Sequence, residues 1–230
     1  MLRLVLFLAL LSTSVSALET QILNKGKVIL QEDFSKAFEV KKPKWLPKQK
    51  TRWSVKDGVL LGIPSTPEYQ AKKKKEGNGH TGNVPRIAVG KLPKSYIINF
   101  KFQIDDKKWT KLLPMFEFGH HVSRIYFSKD GAKLLTNHEK VTKMKDEELI
   151  LQPFKWYEVL AEIGEENLHI QIKDEKGKIH KFYCHYPEYK EAENTAFQIA
   201  TTVNGTVKMD DIKFWESKGL KENWQKNIKK

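Results

Sequence analysis

Between Tyr157 and Lys173 the side chains alternate with period two on both sides of a turn, which restricts the fold more than any other feature. Tyr157, Val159, Ala161 and Ile163 share one phase, and Glu158 and Glu162 occupy the other. After Gly164-Glu165-Glu166-Asn167, Leu168, Ile170 and Ile172 alternate with His169, Gln171 and Lys173. Successive side chains of a strand point to opposite faces, so the pattern specifies a half-buried antiparallel hairpin. A further strand in 207–215 carries Asp211-Ile212-Lys213-Phe214-Trp215, and its apolar phase slips by one between Met209 and Ile212. That slip predicts a β-bulge at Asp210-Asp211.

The rest of the chain reads in the same way. Strands are expected at 28–34, 53–56, 59–62, 86–89 and 96–104, with Tyr96, Ile98, Phe100, Phe102 and Ile104 on one face. Asp57-Gly58 marks a two-residue hairpin, because both residues tolerate the positive φ of a type I′ turn. Residues 112–118 and 122–128 should pair around Gly119-His120-His121, and strands follow at 132–137, 179–185 and 196–203. Residues 63–83, with Pro64, Pro67, four consecutive lysines and three glycines, read as a long surface loop, and the charged segment 138–152 reads as a loop holding a brief helix. About a dozen short strands with almost no helical period give an all-β sandwich of two antiparallel sheets. Leu220, Trp224 and Ile228 recur every four residues, so 217–230 is expected to be a basic tail with a short helix.

Residues 1–17 stand apart. Arg3, the apolar run Leu4 to Leu11 and the small residues of Val15-Ser16-Ala17 have the form of a secretory signal peptide cleaved near Ala17. Eight apolar residues are too few for a bilayer core that needs about 20, and no other long apolar segment follows, so no transmembrane segment is expected in the mature protein. The expected location is secreted or periplasmic, and 18–216 is expected to form the sandwich. Cys184 is the single cysteine, so no intramolecular disulfide can form, and it reads as a small buried hydrophobe. The formal net charge is +13, with lysines concentrated at 41–50, at 72–75 and in the tail. Such a field either draws polyanions, here acidic or sulfated polysaccharide, anionic envelope or stray nucleic acid, or serves only solubility.

Glu117 to Tyr126 is the segment richest in usable chemistry. If Phe116, Phe118, Ile125 and Phe127 face the core, then Glu117, Arg124 and Tyr126 line the opposite surface, with His120 and His121 at its rim. A ring can stack on a pyranose, charged groups bind hydroxyls, and Glu117 or His121 could move a proton. The expected assignment is therefore Glu117 and His121 as catalytic residues, with Arg124, Tyr126 and His120 binding substrate. The same residues also fit a cross-strand ion pair with exposed histidines. Glu158 and Glu162 are four residues apart on one strand, about 13 Å, too far for a glycosidase pair; either would need a partner from another strand, with Glu117 the first choice. No cofactor is expected. Adjacent His120 and His121 face opposite ways on a strand and no spacing supports zinc; Asp210 and Asp211, or loop carbonyls, could hold Ca²⁺, for which two carboxylates alone are poor evidence. Gly77-Asn78-Gly79-His80-Thr81-Gly82 fits G-x-G-x-x-G without the strand and helix that give that motif meaning. No recognition helix or aromatic-plus-basic strand motif points to a specific nucleic-acid partner.

Three segments, Trp53-x-Val55-x-Asp57-Gly58-Val59-Leu60-x-Gly62, Phe154-Lys155-Trp156-Tyr157-Glu158-Val159 and Asp211-Ile212-Lys213-Phe214-Trp215-Glu216, resemble recurring segments of the secreted bacterial 3-keto-disaccharide hydrolase family. The resemblance spans roughly residues 27–216 and implies a concanavalin A-like lectin/glucanase jelly roll directed at oligo- or polysaccharide. Gly119-His120-His121-Val122-Ser123-Arg124 stands where that family has Asn-Ser-Gly followed by Arg, and the Glu-x-Asp-x-x-Glu cluster of laminarinase-type relatives is absent. Two functions are therefore open: a glycoside hydrolase of the 3-keto-disaccharide type, or a non-catalytic module that binds glycan, including anionic polysaccharide, or another envelope component.

Overall fold

The computed structural model describes residues 17–36, 39–40, 44–90, 92–119, 121–136, 140–189 and 196–228. All of the leader read at 1–17 except Ala17 lies outside these residues, as does His120. In chain order the first elements are β1 (Leu23–Glu32), β2 (Trp45–Pro47), β3 (Arg52–Lys56), β4 (Val59–Ile63), α1 (Pro67–Lys75), β5 (Arg86–Val89) and β6 (Tyr96–Ile104). Then come β7 (Met115–Phe118), β8 (Ser123–Ser128), β9 (Gly131–Thr136), β10 (Val141–Asp146), β11 (Tyr157–Gly164), β12 (Asn167–Lys173) and β13 (Ile179–His185). The last are β14 (Phe197–Ala200), β15 (Val207–Leu220) and α2 (Trp224–Ile228).

The strands form two antiparallel sheets. The eight-stranded sheet runs β13-β12-β11-β6-β15-β4-β3, with β1 also on β15, and the seven-stranded sheet runs β10-β9-β8-β7-β14-β5-β2. The expected hairpin of β11 and β12 pairs from Glu158↔Lys173 to Gly164↔Asn167. The expected bulge is also present: against β6 the register of β15 shifts between Asp210 and Lys213, and Asp211 takes φ 49°. At this point β15 changes neighbours, pairing with β4 through Val207–Met209 and with β1 from Ile212 onward. Trp53 lies opposite Gly62, where a Cβ would sit 2.5 Å from the indole ring, so the strand glycine of the β3–β4 hairpin is the space the tryptophan fills.

The filling between the sheets is aromatic. Phe100 and Phe102 of β6 meet Phe116 edge-on, with ring centroids 5.1 and 4.8 Å apart, and Phe127 and Phe197 complete the cluster. All five inward residues expected on β6 are buried there. Cys184 is buried as well, and burial pushes its thiol up to about 12, so it behaves as a hydrophobe.

Three local expectations are corrected. Residues 63–83 contain α1, capped by the Thr66 hydroxyl, which accepts from the Tyr69 amide, and started by Pro67. Its lysines fill the last turn, where the helix dipole favours positive charge. The segment 138–152 contains the edge strand β10, whose lysine-rich exterior hinders further pairing. Beyond Ser217 the chain remains strand as far as Leu220, because Ser217 and Leu220 pair with Lys25 and Leu23 of β1. Only then does α2 form, and Trp224 and Ile228 pack on Leu18, Ile22 and Leu23 over the outer face of the eight-stranded sheet, while Leu220 stays exposed.

A buried carboxylate holds that covering in place. Glu162 Oε1 accepts from the amides of Ile22 (2.9 Å) and Leu23 (2.8 Å), and Oε2 from the Gln21 amide (2.8 Å); His169 Nδ1 lies 2.9 Å from Oε2. At the sandwich edge, His180 of β13 places Nδ1 2.7 Å from Asp146 Oδ2 of β10, tying the two sheets together. Burial alone would raise Asp146; the His180 contact and the amides of Glu148 and Leu149 outweigh it and hold the carboxyl below its usual range.

Glu162→Ala leaves three amides and His169 without their acceptor, and the expected loss of stability is about 3–5 kcal/mol, read from urea unfolding; a loss below 1 kcal/mol would contradict the clamp. Asp146 stabilises the fold above its unfolded pKa, and that contribution disappears as pH falls through the lower folded value. Asp146→Asn should therefore flatten the fall in melting temperature between about pH 5 and pH 2, and an unchanged acid limb would count against the latch.

Candidate functional site

Phe116 and Phe118 of β7, Ile125 and Phe127 of β8, and Phe197 and Ile199 of β14 all point into the sandwich. Alternation then turns Glu117, Arg124 and Gln198 outward, and register aligns them in one row, with Gln198 opposite Glu117 and Glu117 opposite Arg124. Tyr126 follows in the next row, opposite Met115.

Glu117 is the centre of this row. Its Oε1 accepts from Arg124 Nη2 at 2.8 Å and from the backbone N–H of His121 at 2.6 Å, and its Oε2 accepts from Gln198 Nε2 at 2.6 Å. The turn between β7 and β8 carries Gly119 and His121 at φ 71° and 61°, and the Val122 amide closes it on the Gly119 carbonyl. This geometry folds the His121 amide back onto the carboxylate. Arg124 Nη1 donates to Tyr126 Oη (3.0 Å), and Nη2 also lies 2.8 Å from His121 Nδ1. A guanidinium can only donate, so Nδ1 is the acceptor and the ring proton sits on Nε2.

Glu117, Arg124, Tyr126 and His121 are thus brought together on the outward face of the seven-stranded sheet. The expectation of an open hollow is corrected: Glu117 is 1%, Tyr126 3% and Arg124 9% exposed. Val84, Leu113, Met115 and Ala200 pack around the Tyr126 ring, so it offers no free face to a pyranose, and burial pushes its hydroxyl up to about 12. Glu158 belongs to the other sheet, where it pairs with Lys173 and Asn99, and Glu162 is enclosed by the N-terminal segment, so neither partners Glu117. Asp210 and Asp211 are on that other sheet too, with Asp211 bridged to Lys101 at 2.6 Å. Among the described residues no group of three or more His, Cys, Asp or Glu is placed to hold a metal ion.

A cleft of about 370 Å³ opens beside the row. Its floor is Glu117, Gln198, Ala88 and Arg86, and one wall is Lys48, Gln49 and His80. Gln49 Nε2 contacts His80 Nδ1 at 2.9 Å, which joins the wall's two loops. Gly82 allows that approach: its φ is +73°, and a Cβ there would lie 2.3 Å from the Gln49 carbonyl oxygen and 2.4 Å from Ser65 Oγ. Gly82, the last glycine of the 77–82 pattern, therefore lets the cleft wall form. Arg86 begins β5 and is half-buried; its Nε is fully enclosed without a hydrogen-bond partner. Burial draws its guanidinium below the usual value, only partly offset by the nearby Glu117 charge.

Sequence reasoning missed Arg86, Gln198, Lys48, Gln49 and His80. The alternation of β14 marks Gln198 as outward-facing, but nothing local states that β14 lies between β7 and β5. Gly82 was the one available signal, as a position demanding close backbone approach.

No family model matches the chain, and no curated protein sequence does either. Solved structures share the architecture. Basic winged bean lectin, solved with Tn-antigen, aligns with TM-score 0.55 at 12% identity, covering 84% of this chain and 100% of the lectin. The Lotus tetragonolobus seed lectin gives 0.53 at 9%, over 84% and 100%. The GH43 protein BlXynB of Bacillus licheniformis gives 0.50 at 10%, over 81% of this chain and 39% of that one. At such identities the likeness extends to the fold alone, which is the lectin-type, concanavalin A-like jelly roll.

Proposed function

We propose that this is an exported saccharide-binding jelly roll that recognises an oligo- or polysaccharide in the cleft beside Glu117 without cleaving it. The observation that carries the reading is the tethered carboxylate, fixed by Arg124, the His121 amide and Gln198 at the floor of a cleft of about 370 Å³. A polar array held this rigidly suits sugar hydroxyls, which bind through paired donors and acceptors in preformed sites. The lectins that share the fold, one of them solved with Tn-antigen, support the same class of ligand. The net charge of +13 favours an acidic or sulfated glycan over a neutral one. The leader with cleavage near Ala17 supports a secreted or periplasmic location.

The 3-keto-disaccharide hydrolase reading rests on the segment resemblance and has less support from the site. Most glycosidases place two carboxyls about 5–5.5 or 6.5–9.5 Å apart. Glu117 is the one carboxylate lining the cleft among the described residues, and both its oxygens already accept hydrogen bonds.

Calorimetric titration of the mature protein against a glycan panel, with product analysis in the same samples, is the test. Binding without released product is expected, and Gln198→Leu should weaken it about three- to tenfold. Failure to bind any glycan overturns the reading, and turnover of a glycoside would favour the hydrolase. Retention on an anionic polysaccharide column should weaken with salt, since exposed charges are screened within about 8 Å at physiological ionic strength. The exported protein should begin at Leu18 on N-terminal sequencing; an unprocessed Met1 terminus would contradict export.

A further inference from the structure

We infer that the cleft selects sugars bearing an acid group, carboxylate or sulfate, and that Arg86 is the residue that makes the selection. This rests on the saccharide-binding reading and adds to it a ligand class and a specificity residue. Arg86 carries a charge with no ion-pair partner among the described residues. Among the described residues the Arg86 guanidinium reaches no acceptor for a hydrogen bond and no carboxylate for an ion pair, although its Nε is fully enclosed. Buried polar groups of this kind are nearly always satisfied, and an enclosed cation more so.

Glu117 is near enough for its charge to be felt at Arg86, but it is already committed. Arg124 sits on its Oε1 at 2.8 Å and Gln198 on its Oε2 at 2.6 Å. The Glu117–Arg124 pair is neutral as a unit, which leaves Arg86 on the floor and exposed Lys48 on the wall as uncompensated positive charge. His80 stands on the same wall, with its Nδ1 occupied by Gln49. Ala88, in register beside Gln198, keeps the floor low so that a ring can lie across the sheet towards Arg86. A carboxylate or sulfate bridging two guanidinium N–H groups is the recognition for which arginine is suited and lysine is not.

The test compares two matched ligand pairs by calorimetry: an oligogalacturonide with its methyl ester, and a sulfated oligosaccharide with its desulfated form. The wild-type protein should prefer an acid form at least tenfold, and the pair with the larger ratio identifies the group that is read. In Arg86→Gln that ratio should fall to about one, and Arg86→Lys should restore only part of it. Thermal melting separates recognition from folding: removing a half-buried charge that has no ion-pair partner among the described residues should leave the melting temperature of Arg86→Gln unchanged or higher. Lys48→Gln, on the exposed wall, should reduce the same ratio about two- to threefold. A wild type that binds acid and neutral forms equally, or an Arg86→Gln variant that keeps its preference, overturns the assignment while saccharide binding stands. If no saccharide of either kind binds, the underlying reading fails and this one with it.

Discussion

The packing of β6 against β7, β8 and β14 fixes most of what the rest of the molecule can do. Phe100 and Phe102 meet Phe116, Phe127 and Phe197 with ring centroids 4.8 to 6.1 Å apart in the pairs that join the two sheets directly. Strand side chains alternate strictly, so seating those rings inside leaves no choice about what faces out. Glu117, Arg124 and Gln198 form an outward row because their neighbours fill the sandwich. A slip of one residue would bury three polar side chains among the rings and expose six aromatic or aliphatic ones. The site is thus held in place by residues that never touch it.

The two outer faces use the same device for different ends. Each carries a carboxylate buried to 1% or less, Glu162 on one and Glu117 on the other. Each accepts from backbone amides and lies beside a basic side chain. Glu162 draws the N-terminal segment and, through Lys221 and Asn227, the C-terminal end down onto the sheet, which encloses its side chain. Glu117 draws down the turn after β7, and it also borders the cleft. Replacing a buried ion pair by apolar groups is often neutral for stability. The Glu117–Arg124 pair therefore makes best sense as a positioning device for the cleft floor.

What the sequence made legible was local. The β11–β12 hairpin, the Asp57-Gly58 turn and the bulge at Asp210-Asp211 each announce themselves within a few residues. The inward and outward assignment of Glu117, Arg124 and Tyr126 followed from alternation and agrees with the structure. What stayed hidden depends on which strands become neighbours. Gln198 meets Glu117 across 81 positions, and Arg86 reaches the same cleft from β5. Burial of Tyr126 was equally invisible, because its cover comes from Val84 and Leu113 on separate loops. Helix α1 escaped because its lysine run reads as a loop, although Thr66-Pro67 is a sound N-terminal signal.

The charge arrangement in the cleft bears on the choice between the binding and the hydrolytic readings. General acid–base chemistry needs a group whose proton can come and go near the operating pH. Glu117 accepts hydrogen bonds from a guanidinium, an amide N–H and a carboxamide, which engage both of its oxygens. His121 presents its Nδ1 lone pair to Arg124, so a proton on that nitrogen would face a cation at 2.8 Å. Both groups proposed for proton transfer are therefore engaged by one arginine. Among the described residues the second arginine, Arg86, is the charge on the cleft floor without an ion-pair partner. On the reading proposed above, the tethered pair shapes the cleft floor and the Arg86 charge beside it meets an acidic ligand.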